Sequence, residues 1–147
     1  MGFKNQNELE RFLLKKSRLA LLKSQDKVYT IIKQFVYKYY SDYDPVLYER
    51  TYQLLQSLVQ SRIVSDGKGY KAEIYFDVDG LRYVTGRQPS GGQVMDAAAS
   101  GGHGASGLRV VPGDTGISIW NDPIQKLDAE AIDILKNMLI SEGVPIK

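Results

Sequence analysis

Between Gly2 and Pro45 the chain contains neither glycine nor proline, the two residues least compatible with a helix interior. Asn7 followed by Glu10 has the spacing of a helix-starting box, with Asn in place of the usual Ser or Thr. Leu13, Ala20, Leu21, Val28, Ile31, Ile32 and Phe35 then recur at helical spacing. The pattern predicts one long helix over about residues 7–40, with a bend near Ser24–Asp26 left open. At 1.5 Å per residue such a helix reaches roughly 50 Å, longer than a small domain needs.

The first half of that helix is apolar on too many sides. On a helical wheel Leu13, Ala20 and Leu21 face the same way as Val28 and Phe35. Phe12 and Leu19 point away from that stripe, and Leu22 points away again. A monomer needs one apolar stripe. The additional ones are covered either by a second helix of the same subunit or by another chain.

Further along, Asp44 is placed to cap a second helix, with Pro45 at its first position and Leu47, Tyr48, Thr51, Leu54, Leu55 and Leu58 continuing it. "SLVQSRIV" loosens into a strand pattern, and Asp66–Gly67 marks a hairpin turn. "YKAEIYFDVD" then alternates, with Ala72, Ile74, Phe76 and Val78 on one face and Lys71, Glu73, Tyr75 and Asp77 on the other. "VTGRQPSGG" reads as loop, "QVMDAAAS" as a short helix and "GGHGASG" as loop again. "GISIW" reads as a short strand ended by Asn121–Asp122–Pro123. A last helix is capped by Asp128 and carries a stripe of Leu127, Ala131, Ile134, Leu135 and Met138, until Gly143 and Pro145 stop it. This order gives an α+β fold: a long N-terminal helix, a second helix, a small antiparallel sheet with a glycine-rich loop, and a C-terminal helix. The expected organisation is a single domain over 1–147, with residues 1–27 a basic helical arm and 86–107 a flexible glycine-rich loop.

With 43% hydrophobic and 24% charged residues the composition is that of a globular chain. The sequence predicts no membrane-spanning helix and no signal peptide. The absence of cysteine excludes disulfides, thiolate zinc sites and cysteine nucleophiles, and fits a reducing compartment. Charge is unevenly distributed. Up to Tyr40 there are nine basic residues against three acidic ones, and beyond it ten against fourteen. A basic segment on an acidic body suits nucleic acid and the acidic face of another subunit alike.

Candidate chemistry is sparse. His103, the only histidine, stands between glycines in "MDAAASGGHGASG", near Ser100 and Ser106. Nucleophilic catalysis needs a nucleophile, a base and a group orienting the base, and so much glycine makes precise positioning entropically costly. No G-x-S-x-G elbow is present, and one histidine without cysteine is a poor metal site. Asp77 and Asp79 could form an acid pair or a magnesium site, but "DVDG" is ordinary turn chemistry. "GRQPSGG" is neither a phosphate-binding nor a dinucleotide loop. Arg11, Lys15 and Arg18 form one basic row and Lys16, Lys23 and Lys27 another, a contact surface that phosphate binding could use, though no recognisable nucleic-acid-binding motif accompanies them. Tyrosines cluster at Tyr37, Tyr39, Tyr40, Tyr43, Tyr48 and Tyr52, a residue type enriched at interfaces.

"YYSDYDPVLYERTYQLLQSL", "IYFDVDGLRYVTG" and the later Gly-x-His-Gly loop together resemble the small head–tail joining proteins of long-tailed phages, also described as neck, minor capsid or tail-completion proteins. The resemblance covers about residues 35 to 105, with the C-terminal helix agreeing in position. It implies a non-enzymatic virion protein without cofactor or metal, made in the host cytoplasm and assembled as a ring at the head–tail junction. Its partners would be copies of itself and neighbouring portal-side and tail-side proteins, with non-specific contact to DNA in the channel and no membrane. Subunit contacts are expected at Phe12, Leu19, Leu22, Tyr40, Tyr43, Gly102, His103 and Gly104, with Met95–Gly107 as an assembly loop. The alternatives are a nucleic-acid-binding module using the basic helix and, third, a small hydrolase centred on His103.

The lone histidine separates these readings. His103→Ala should change stability by no more than about 0.5 kcal/mol and leave any hydrolytic activity intact. A folded variant that loses hydrolysis would support the enzyme.

Overall fold

The computed structural model describes residues 2–41, 53–80, 95, 98–99 and 118–146. Helix α1 runs unbroken over Gln6–Ser41, close to the expected 7–40. Its capping residue, Asn5, lies two residues before the expected one, Asn7. The side chain of Asn5 accepts the Glu8 N–H at 2.9 Å, while the Glu8 carboxylate accepts the Lys4 N–H at 2.9 Å. The same Asn-x-x-Glu spacing thus occurs at Asn5–Glu8, where the preceding residues have already left the helix and their N–H groups lack other partners. At the site of the expected bend, buried Ser24 donates to the Ala20 carbonyl at 2.8 Å, which satisfies its hydroxyl inside the helix.

Of the expected second helix, α2 covers Gln53–Gln56. Asp44, Pro45, Leu47, Tyr48 and Thr51 lie outside the described residues. The short α2 is tied down by Tyr40, whose hydroxyl accepts the Leu55 N–H at 3.1 Å. First-turn N–H groups have no helical partner, so this one is satisfied from another element.

Four short strands follow: β1 (Leu58–Gln60), β2 (Val64–Ser65), β3 (Tyr70–Lys71) and β4 (Ile74–Phe76). β2 pairs antiparallel with β3, Val64 opposite Lys71 and Ser65 opposite Tyr70, and β1 pairs with β4. The turn between β2 and β3 falls where the sequence places it. Asp66 Oδ1 accepts the N–H groups of Lys68 (3.0 Å) and Gly69 (2.8 Å), and Gly67 has a φ of 86°, a conformation that glycine adopts without strain. Those two N–H groups hold the Asp66 carboxyl below its ordinary range.

The expected single strand "YKAEIYFDVD" is instead two strands with a break at Ala72–Glu73. From Ser61, which donates to the Glu73 carbonyl at 2.8 Å, to Val64 takes three residues; from Glu73 to its counterpart Lys71 takes two. One extra residue therefore sits in the segment between β1 and β2, an offset of the β-bulge kind where the two strand pairs meet. The Glu73 N–H turns to the Ser61 hydroxyl (2.8 Å), and the Ser61 carbonyl is left without that ladder bond. Gln25 of α1 takes over. Its buried amide donates to the Ser61 carbonyl at 3.1 Å and to the Glu73 carbonyl at 3.0 Å. The predicted alternation survives the break: Ala72, Ile74, Phe76 and Val78 are the more buried positions, and Lys71, Glu73, Tyr75 and Asp77 the exposed ones. A short 3-10 helix at Val78–Gly80 ends the run, in keeping with the turn reading of "DVDG".

The C-terminal helix α3 spans Asn121–Ser141, beginning seven residues before the expected cap at Asp128. Ser118 is the true cap. Its hydroxyl accepts the Asn121 N–H at 2.8 Å and the Trp120 N–H at 3.3 Å, and Asp122 reaches back to the Ser118 N–H at 3.0 Å. Pro123, read from sequence as a terminator, sits in the first turn, where its missing N–H has no helical bond to make. Ser118 carries no strand pairing, and Ile119 and Trp120 form a turn, so this part of the expected "GISIW" strand is instead the approach to a helix. At the far end the prediction holds. Gly143 has a φ of 86°, with Gly143 N–H on the Ile140 carbonyl (2.9 Å) and Val144 N–H on the Leu139 carbonyl (3.0 Å), a Schellman stop.

The chain divides into two compact units. Unit 1 comprises Met1–Tyr29, Gln60–Ile74 and Ala129–Lys147; unit 2 comprises Thr30–Val59 and Tyr75–Asp128. The expected basic arm, residues 1–27, falls wholly within unit 1. In unit 2 lies the apolar core: Ile31, Ile32, Val36, Tyr39, Tyr40, Leu54, Leu58, Phe76, Ala98, Ile119 and Leu127. Phe76 meets Trp120 edge-on, ring centres 6.2 Å apart. Met95, Ala98 and Ala99 are helical, as "QVMDAAAS" predicts. Of the expected glycine-rich loop 86–107 only Met95, Ala98 and Ala99 are described, and Ala98 is buried and accepts the Ile119 N–H at 3.4 Å.

Unit 1 is built differently. Among its described residues only Ala20, Ser24 and Gln25 are fully buried. With so little apolar burial, the Gln25 amide carries a large share of its cohesion. Gln25→Ala should lower unfolding free energy by about 1–3 kcal/mol, the cost of stranding buried polar groups, read as a fall in the urea midpoint.

Candidate functional site

The two basic rows on α1 meet different fates in unit 1. Lys23 forms an ion pair with Glu142, just past the end of α3, and Lys16 approaches the same carboxylate at 3.7 Å. The Glu142 side chain is only 11% exposed. The Lys23 hydrogen bond and charge hold its carboxyl below the ordinary glutamate range, with partial burial opposing. Two members of the second row are thus engaged within the chain, and Lys27 of that row is exposed.

The other row, Arg11, Lys15 and Arg18, is exposed along α1 and makes no ion pair among the described residues. Leu14 and Leu22 lie on the same face, at i, i+3, i+4, i+7 and i+11 from Arg11, and are 48% and 41% exposed. The result is a face of about three turns in which cations alternate with uncovered leucines. Leu9 and Leu13 are also exposed, on the opposite side of α1. Leu13 was expected in the buried stripe. The stripe turns inward only from Ala20 onward, because the elements that bury α1 most completely belong to its second half.

The predicted contact residues separate accordingly. Leu22 is exposed, as an interface residue must be. Phe12 and Leu19 are half-buried within the chain: Phe3 packs on Phe12 at 5.1 Å between ring centres, and the Lys16 ammonium lies 5.8 Å from the Phe12 ring. Tyr40 is buried in unit 2, beside Tyr39 at 6.1 Å, and its hydroxyl accepts the Leu55 N–H, so within the single chain it serves the core. Tyr43, Gly102, His103 and Gly104 lie outside the described residues.

Sequence reasoning missed a second exposed surface in the same unit. On α3, Ile132 is 81% exposed, and Leu135 and Ile140 are also uncovered, with Lys136 one turn from both Ile132 and Ile140. The sequence pattern places Leu135 in the core stripe, and the structure leaves it 37% exposed. Ile132 stood outside that stripe on the wheel, and this was the available signal. Among the described residues no cluster of metal-ligating side chains occurs, and no helix is long and apolar enough to cross a membrane.

Because the Glu142 carboxyl is lowered in the folded state, its contribution is present above the ordinary glutamate range and lost as pH falls through the folded value. Glu142→Gln should therefore lower the urea midpoint near pH 7, and the gap to the parent should close between about pH 5 and pH 3.

No curated protein and no solved structure matches this sequence. The family model named YomN does, over residues 5–141, which takes in both exposed helix faces and the Gln25 clamp. The chain belongs to the YomN family.

Proposed function

We propose that this protein is a structural subunit of a phage particle, assembling with copies of itself and with neighbouring particle proteins at the head–tail junction. The observation that carries the reading is the uneven burial. Among the described residues almost all the buried apolar side chains lie in unit 2, whereas unit 1 leaves Leu9, Leu13, Leu14, Leu22, Ile132, Leu135 and Ile140 uncovered. Uncovered apolar surface of this extent supports an interaction role. The phage derivation of the family supports the particle setting, and the sequence resemblance to head–tail joining proteins supports the position within it.

Light scattering and negative-stain microscopy of the purified protein, alone and with the products of adjacent genes, test the reading. Rings or defined complexes are expected. A monomer that joins no neighbour would overturn it.

A nucleic-acid-binding role is the second reading, favoured by the unpaired row Arg11, Lys15 and Arg18. If that row contacts phosphates, affinity falls steeply with salt. Changing all three to Gln should reduce the slope of log affinity against log salt by at most about three, measured by fluorescence anisotropy with unrelated duplexes.

A further inference from the structure

We propose that the exposed face of α1 carrying Arg11, Leu14, Lys15, Arg18 and Leu22 is a docking surface for an acidic amphipathic helix of a neighbouring protein, one whose carboxylate side chains alternate with apolar ones along a single face. The inference rests on the structural reading above and names the chemistry of one partner.

Spacing sets the face. Leu14, Arg18 and Leu22 follow one another at successive turns, with Arg11 and Lys15 alongside, and all five are exposed. Ala20 and Ser24, on the far side of the helix, are buried, so the row faces outward.

Charge names the partner. From Arg11 to Gln25 α1 has five basic residues and no acidic one. Glu142 answers two of them, Lys16 and Lys23. Arg11, Lys15 and Arg18 make no ion pair among the described residues and stand within two turns of one another, so they repel. An acidic partner relieves that repulsion. The leucines decide which acidic partner. A phosphate backbone matches the cations and leaves Leu14 and Leu22 against water. A lipid surface takes a helix whose cations and apolar side chains lie on opposite sides, whereas here Arg18 sits between two leucines, one turn from each. The same face of a second copy sets cation against cation. A helix with apolar side chains two turns apart and carboxylates between them covers the leucines and pairs the cations together. The face spans roughly 17 Å, so the contact is small by the standard of stable interfaces and sensitive to salt.

Fluorescence anisotropy with synthetic peptides tests this on the full chain, with circular dichroism verifying the fold of each variant. The probe is an alanine-rich helical peptide of about twenty residues, with leucines two turns apart on one face and glutamates between and beside them. A second peptide has the same composition with these residues scattered around the helix. The first should bind at least about tenfold more tightly than the second. Leu14→Ser with Leu22→Ser should weaken its binding about ten- to hundredfold. Changing Arg11, Lys15 and Arg18 together to Gln should weaken it at least about tenfold and flatten its salt dependence. Equal binding of the two peptides, or binding unchanged in either variant, overturns the proposal. So does tighter binding of duplex DNA or of phosphatidylglycerol vesicles that is lost in the Gln variant, which assigns the face to nucleic acid or to lipid. Reconstitution with the products of adjacent genes separates this inference from the structural reading. If the parent and both variants join the complex equally, the docking face is wrong and the structural role stands. If only the variants are excluded, both are supported. If the parent neither self-associates nor joins a complex, both fail.

Discussion

A helix of 36 residues extends roughly 54 Å, and a chain of this size cannot cover such a length uniformly. The consequence is visible in where α1 is buried. From Thr30 onward it gives Ile31, Ile32, Val36, Tyr39 and Tyr40 to the apolar core. From Gln6 to Tyr29 the same helix fully buries only Ala20, Ser24 and Gln25. Most of the other features of unit 1 follow from that shortage. Where apolar burial is scarce, directional polar contacts must hold elements in register, and the Gln25 amide and the Glu142 carboxylate fill that role.

These contacts are unequal in strength. Gln25 is buried and satisfies a backbone carbonyl that the bulge leaves without a strand partner, so removing it strands a polar group away from water. The Lys71–Glu73 pair, more than half exposed on both sides, lies in water and contributes little. Glu142 is intermediate, mostly covered yet reached by two lysines. The same carboxylate divides the basic surface, drawing Lys16 and Lys23 inward and leaving Arg11, Lys15 and Arg18 facing solvent.

Periodicity made much of the fold legible. An uninterrupted helical pattern located α1 within a residue at each end, and strict alternation gave the exposed and buried sides of the sheet even across a bulge that alternation cannot reveal. The start of α3 was not legible, because Ser118 and Asp122 cap it through side chains whose local spacing also suits a turn. Pro123 reads as a breaker unless the cap upstream is known. The site was legible only in part. Net charge marked the basic helix and the wheel marked Leu22, but a wheel cannot say that Phe3 packs on Phe12 or that Tyr40 turns to the Leu55 N–H. Gln25 gave no signal, since an isolated glutamine in a polar helix looks like any solvated residue. Its role depends on a strand irregularity some 36 positions away.

The division of burial also bears on how such a subunit could remain soluble before assembly. Exposed leucines spaced among arginines and lysines on α1 are less prone to indiscriminate association than a continuous apolar strip, because any partner must accommodate the interleaved charges. Like faces repel, which works against random pairing between identical surfaces. A contact that needs apolar fit and opposite charge together is selective while remaining weak for a single pair. Weak selective contacts favour assembly only where several close simultaneously, because closing a ring makes the last contact intramolecular and raises its effective concentration. On the proposed reading, the poorly buried half of α1 is therefore a consequence of dividing one helix between two demands: a core that folds the subunit, and a face kept uncovered until other subunits are present.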